Sequence, residues 1–355
     1  MSQNYQELLQ RIMHDTAQAG ASDLHLSPGN KPMVRVDSRL IPLEQYPILD
    51  PDASAGLAFA LLGDARKNRF LGEKELDFSY IFDNDFRFRV NVYYTKGYIS
   101  STLRYIPNKI PTIEELNLPP IIKIFSKISQ GFVLVVGPNG HGKSTTMASL
   151  IDIINRERAD KVVTIEDPIE YLFTPINGII DQRELFLDTL SFHKALRSTF
   201  RQNVNVIMVG EMRDYETMSA AVTAAETGHL VFASLHTNSA VQTIDRIIDS
   251  FPPAQQSQVR VQLSNTLSGI ISQRLIPRIK GGLIPAAEIL IANNAVRNLI
   301  RENRIQQLNT VIDTSNEEGM ISLNRSLAEL VKRGEITIEQ AEFHSVNPRG
   351  LKDLL

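Results

Sequence analysis

Cysteine is absent from all 355 residues. That excludes disulfides and thiolate metal sites, and it fits a reducing compartment. No apolar run approaches the roughly 20 residues that a membrane-spanning helix needs. The first residues, M-S-Q-N-Y-Q-E-L-L-Q-R, lack the apolar core of a secretory signal. Excess charge is missing too. The formal net charge is −3, so no global basic field draws the chain to nucleic acid or anionic lipid. Internal repeats and low-complexity segments are also lacking. What is present is 43% hydrophobic and 22% charged residues, which are globular values. The length suits about two or three domains. Together these features lead to the expectation of a soluble cytoplasmic protein, at most peripheral to a membrane.

One stretch stands out. Phe132 to Val136 is a short apolar run that reads as a buried strand. It is followed by Gly137-Pro138-Asn139-Gly140-His141-Gly142-Lys143-Ser144-Thr145, which contains the G-x-x-x-x-G-K-[ST] spacing of a phosphate-binding loop. Glycines let the backbone curl so that successive N–H groups face phosphate oxygens. Lys143 adds a point charge for the β- and γ-phosphates. The Ser144 hydroxyl can join the shell of a Mg²⁺ ion. A helix from about Lys143 to Asn155 turns its positive end toward the phosphates. The implied ligand is ATP with Mg²⁺.

Ahead of this loop the sequence predicts an α+β module. Apolar positions in Tyr5 to Ala19 recur at near-helical spacing, and Ser54 to Leu71 reads as a second helix. Strands are expected at 21–26, 33–36, 76–82, 86–94 and 99–105. Pro107 to Pro120 reads as a connector. Beyond it strands alternate with helices, which argues for a mostly parallel sheet with covered faces. The strands are placed at 133–136, 162–165, 206–209 and 230–235. The helices are placed at 144–155, 191–200, 215–226, 239–249 and 254–272. Residues 295–308 and 323–332 extend the chain as helices. The expected division is an N-terminal domain at 1–106, a linker at 107–120, an ATPase core at 121–290 and a helical part at 291–355.

Hydrolysis needs a carboxylate to orient water or hold Mg²⁺, and a cation for the transition state. Val206 to Gly210 is a buried strand that delivers Glu211 at its end, placed to polarise the attacking water. Val163 to Ile165 likewise delivers Glu166, with Asp167 and Glu170 as alternatives that can simply cap the next turn. With Ser144, either Glu211 or Glu166 could hold the metal through water. His229 and His236 flank the strand 230–235, and their odd spacing puts them on opposite faces. His236 is placed to sense the γ-phosphate, whereas His229 is as well read as a packing or subunit contact. Arg87, Arg89 and Asn91 share one face of 86–94, and Arg104 lies on the next strand. From spacing alone they fit a solvated strand face at least as well as a phosphate contact.

These motifs resemble the secretion ATPases, and within them the branch that drives type IV pilus retraction (twitching motility). The resemblance covers nearly the whole chain. G-A-S-D-L-H-L at 20–26 and M-V-R-V-D at 33–37 look like that family's N-terminal PAS-like domain. T-I-E-D-P-I-E-Y at 164–171 is similar to its Asp box, V-G-E-M-R-D at 209–214 to its Walker B segment, and T-G-H-L-V-F-A-S-L-H-T-N-S-A at 227–240 to its His box. F-R-V-N at 88–91 and L-R-Y-I-P at 103–107 match its nucleotide-facing arginines, here Arg89 and Arg104. A-V-R-N-L-I-R-E at 295–302 resembles its retraction signature, which implies a coupling role for Arg297 and Arg301. The implied fold is α/β: a PAS-like α+β domain followed by a RecA-like P-loop NTPase domain with a helical C-terminal extension. The implied activity is ATP hydrolysis by a homo-hexamer at the pilus base. It acts on an inner-membrane platform protein, with other pilus ATPases as possible partners.

The chain departs from the family's pattern in two places. Arg201-Gln202-Asn203-Val204-Asn205 stands where an acidic R-E-D-P-D run is common. Asn139 and His141 stand where threonine and serine are usual. Two rivals share the loop: a type II/IV secretion or pilus-assembly ATPase, and a RecA-type nucleic-acid translocase. The signature at 295–302 argues against the first. The slightly negative charge argues against the second, so no nucleic-acid partner is expected.

Overall fold

The computed structural model describes residues 4–36, 39–82, 86–106 and 109–355. Asp37 and Pro107, which end two of the sequence motifs, lie outside the described residues, as do the first three residues and Asn108 of the expected linker. The chain divides into two compact units, Met1–Lys109 with Pro168–Leu172, and Ile110–Asp167 with Phe173–Leu355.

The first unit starts with α1 (Tyr5–Gln18), which buries Leu8, Leu9, Ile12 and Met13 on one stripe. Three short strands follow, β1 (Asp23–Leu26), β2 (Met33–Val36) and β3 (Arg39–Pro42). The long α2 (Pro51–Glu73) is broken at Gly63, where φ is 61°. A meander completes the unit: β4 (Glu75–Phe82), β5 (Phe86–Thr95) and β6 (Tyr98–Ile106). The strands make one antiparallel sheet ordered β3-β2-β1-β6-β5-β4. Its inner face, with Phe78, Phe88, Val90, Val92 and Leu103, packs into one core with α1 and α2. The register sets Arg89 directly opposite Arg104, and Arg104 opposite Asp23.

The second unit opens with α3 (Ile124–Lys127) and β7 (Gly131–Val136), followed by α4 (Lys143–Glu157). It continues through β8 (Lys161–Glu166), β9 (Ile179–Glu184), α5 (Phe192–Thr199), β10 (Val206–Val209), α6 (Tyr215–Glu226) and β11 (Leu230–Leu235). Then come α7 (Ala240–Asp249), α8 (Pro253–Thr266), β12 (Leu267–Pro277) and β13 (Leu283–Ile291). The chain ends in α9 (Asn294–Arg301), α10 (Leu308–Thr314), α11 (Leu323–Lys332), α12 (Ile338–His344) and α13 (Pro348–Lys352). The sheet order is β13-β12-β7-β11-β10-β8-β9, parallel throughout except for β13 on the edge. Every residue of β7, β10 and β11 is buried, which explains their unbroken apolar runs. Among the described residues no helix is long and apolar enough to cross a membrane.

The helix expected over 254–272 stops at Thr266, and the chain enters β12 without a breaker. Pairing decides the change. Ile270 and Ile271 lie opposite Leu134 and Val135 of β7, and a Cβ on Gly269 would fall 2.2 Å from the Phe125 ring. Burial on both faces favours these β-branched residues as strand. The hairpin β12–β13 in turn carries the C-terminal helices: Ile276, Ile284 and Ala286 form a small core with Leu323, Leu327 and Leu330 of α11.

Candidate active site

The phosphate-binding loop leaves β7 at Gly137 and enters α4 at Lys143. Its three glycines have φ of 148°, 74° and 80° at Gly137, Gly140 and Gly142, which residues with a Cβ rarely adopt. Space matters as well at the first of them. A Cβ on Gly137 would sit 2.3 Å from the backbone oxygen of Gln273. β12 therefore forms a wall against the loop. Gln273 donates from Nε2 to the His141 carbonyl at 2.6 Å, and its Oε1 accepts from the Thr146 hydroxyl at 2.8 Å. The Leu275 N–H donates to His141 Nδ1 at 2.9 Å. β7 ends opposite Ser272, so beyond that point the loop takes over the partner edge of β12.

The carboxyl ends of β7, β11, β10 and β8 lie side by side in the sheet. This is where open α/β sheets bind ligands. Lys143 is buried, and its ammonium donates to the Gly137 and Pro138 carbonyls at 3.0 and 2.9 Å. It also lies 3.2 Å from His236 Nδ1. An ammonium only donates, so Nδ1 accepts and the imidazole proton sits on Nε2. That Nε2 is 2.6 Å from Glu211 Oε1, while Arg213 holds Glu211 Oε2 at 2.8 Å. A continuous chain thus runs Lys143–His236–Glu211–Arg213. Burial pushes the Glu211 carboxyl up, but hydrogen bonds from Arg213 and His236 and the charge of Arg213 outweigh it and hold it below its ordinary range.

Backbone links fix these strand exits. The Gly210 N–H donates to Ile165 O at 2.8 Å, Ser234 Oγ to Gly210 O at 2.5 Å, and Met212 N–H to Ser234 O at 3.1 Å. Glu166 is buried and accepts from Thr164 Oγ1 at 2.6 Å and from Gln182 Nε2 at 3.3 Å. Glu288 on β13 receives the Ala240 N–H at 2.7 Å and so holds the start of α7, just after the His236 turn. Burial raises its carboxyl above the ordinary range.

The other residues singled out from the sequence lie elsewhere. Arg89 donates from Nη2 and Nε to Asp77 Oδ2 at 2.5 and 3.0 Å and lies 3.6 Å from Glu170. Arg104 donates to Asp23 at 2.9 Å. Arg87 shares the strand face of Arg89 but is buried rather than solvated. His229 Nδ1 lies 3.0 Å from Ala224 O at the end of α6, and its ring meets Phe200 edge-on. Arg297 donates to the Ser264, Asn265 and Ala292 carbonyls at 2.8, 2.7 and 3.1 Å, closing the end of α8. Arg301 is exposed. Asn205 receives the Lys161 N–H at 2.9 Å, at the amino end of β8 and away from Glu166. Asn139 is exposed. Gln273 and Arg213 were not foreseen. A lone glutamine just past the helix expected over 254–272 carries no motif, and Arg213 reads as an ordinary residue after a strand.

A glycine-bounded loop between a buried strand and a helix, with acids at neighbouring strand ends, defines a P-loop nucleoside triphosphatase. Residues 114–335 match the model of the type II/IV secretion system protein family, and the chain belongs to that family. It is 44% identical over 326 residues to the type IV pilus retraction ATPase PilT of Pseudomonas aeruginosa, covering 92% of this chain and 94% of that one. It is 37% identical to the type IV pilus ATPase PilU of the same organism, covering 98% and 90%. A crystal structure of the pilus retraction motor PilT with bound ADP superimposes with a TM-score of 0.91 at 43% identity, covering 97% of this chain and 98% of that one.

Proposed function

We propose that this chain is the ATP-hydrolysing motor of type IV pilus retraction. The observation that supports it most is the Lys143–His236–Glu211 chain on adjacent strand ends, in a molecule related along nearly its full length to PilT. In this reading the second unit is a RecA-like domain, with a core at 121–290 and a helical part at 291–355. The first is a PAS-like domain over 1–106, joined by residues 107–120.

Phosphate oxygens displace the Gly137 and Pro138 carbonyls as acceptors for Lys143, because charge-assisted bonds are the stronger ones. The N–H groups of Asn139 to Thr145 cradle the β-phosphate. The Ser144 hydroxyl, with the Glu211 or Glu166 carboxylate through water, would make an all-oxygen set, the donor chemistry that Mg²⁺ takes. When bound, the ion neutralises charge on the phosphates. Glu211, kept ionised by its neighbours, accepts a proton from the attacking water. His236, which lies between Lys143 and Glu211, reports the γ-phosphate. Arg89 and Arg104 exchange their carboxylate partners for phosphate oxygens and stabilise the transition state. Arg297 and Arg301 belong to coupling, and His229 to subunit contact.

The working unit is a homo-hexamer in the cytoplasm, peripheral to the inner membrane. It pulls through a membrane platform protein and can act beside other pilus ATPases. Deletion with imaging of pili tests the reading. Excess fibres that no longer retract are expected, whereas bald cells would show an assembly motor instead.

A further inference from the structure

We propose that Gln273 is a positioning residue for nucleotide binding, bracing the phosphate-binding loop from β12. The residue is 2% exposed, and both ends of its amide are used. The nitrogen holds the His141 carbonyl in the middle of the loop, and the oxygen holds Thr146 in the first turn of α4. Its backbone oxygen abuts Gly137, and its amide nitrogen lies 3.1 Å from where a Gly142 Cβ would stand. One residue therefore touches the loop at its start, its middle and its end.

The groups it takes are a carbonyl and a hydroxyl, while the inward N–H groups that a phosphate needs are left alone. The Leu275 N–H does the same for the His141 imidazole. Free loops of this kind sample many φ and ψ combinations, and a bound anion must select one. A loop held by β12 has that ordering done beforehand, so Gln273 acts on affinity. Its side chain bonds to His141 and Thr146, not to Glu166, Glu211 or His236, so it does not act on the chemical step.

The inference rests on residues 137–145 being the nucleotide site. The test uses the full chain, fluorescent N-methylanthraniloyl-ADP for Kd, and steady-state hydrolysis for KM and kcat. Wild-type binding that is lost in Lys143→Ala establishes the site. A wild-type chain that does not bind overturns the nucleotide-site reading itself. With the site established, Gln273→Leu is expected to raise Kd and KM about five- to thirtyfold, the scale of leaving a buried donor and acceptor unpaired. kcat should stay within about threefold, as for loss of uniform binding. Thr146→Val should raise Kd less, and the double variant should match Gln273→Leu within about twofold, because both remove the same contact. An unchanged Kd in Gln273→Leu, a fall in kcat at constant KM, or additive effects would each overturn the brace. Should Gln273→Leu not fold, an unchanged Kd in Thr146→Val overturns it.

Discussion

His141 can hold the loop to β12 only while its Nδ1 carries no proton, because the Leu275 N–H points at that atom. Burial first, then the charges of Lys143 and Arg274, push the His141 pKa below its ordinary value. His344, whose carbonyl receives Arg274 at 2.8 Å, is lowered in the same sense by burial, Arg274 and His141. A histidine with a depressed folded pKa stabilises fully above the ordinary value and loses that contribution as pH falls through the lowered one. ATP KM should therefore rise as the solution is acidified below the ordinary histidine range. His141→Ser should remove part of that acid limb and cost about 1 kcal/mol at neutral pH, the net worth of one hydrogen bond. Measuring KM against pH for both proteins checks this, and identical acid limbs would contradict it. The loop's spacing was legible from its glycines and Lys143. The role of His141 was not, because its partner is a backbone N–H far along the chain, beyond the helix expected over 254–272.

At the scale of elements, β12 and α9 differ most from their sequence patterns. The helix expected over 254–272 runs past Leu267 because no breaker precedes that residue. Only pairing with β7 and β13 makes Leu267 to Pro277 a strand. The parallel strands at 133–136, 162–165, 206–209 and 230–235 were legible because burial on both faces leaves unmistakable apolar runs. The edge strand β9, with Asp181, Gln182 and Arg183, has no such run. In α9 the apolar positions Val296 and Ile300 turn inward as their spacing implies. Arg297, on the half-buried flank, closes α8 through the Ser264 and Asn265 carbonyls and ties it to Ala292. Hydrogen bonds to charged groups contribute about 1.5–3 kcal/mol, so Arg297→Ala should lower the melting temperature by several degrees. Arg301→Ala should leave it within about one degree, because surface changes are small. Calorimetry on the two single variants separates them. Arg301→Ala is then the cleaner probe of coupling: retraction should fall while ATPase activity is kept, and a proportional fall in both would contradict a coupling role.

Across the whole molecule, charged groups are sorted between the two units. The first carries Arg89 and Arg104 side by side, each held by a carboxylate, and counts residues 168–172 with its own sheet. The second carries the loop and the acids at the strand ends. Motifs located both sets because each sits beside a recognisable strand. The ion pairs that hold the arginines, to Asp77 and Asp23, depend on cross-strand register, which no local pattern reveals. The central claim is that the second unit hydrolyses ATP through Glu211. The most direct measurement compares Glu211→Gln with the wild-type chain for both ATP turnover and ADP binding. Removing a positioned catalytic group should cut turnover by about a hundredfold or more while binding stays within a fewfold. Unchanged turnover in Glu211→Gln would contradict the account.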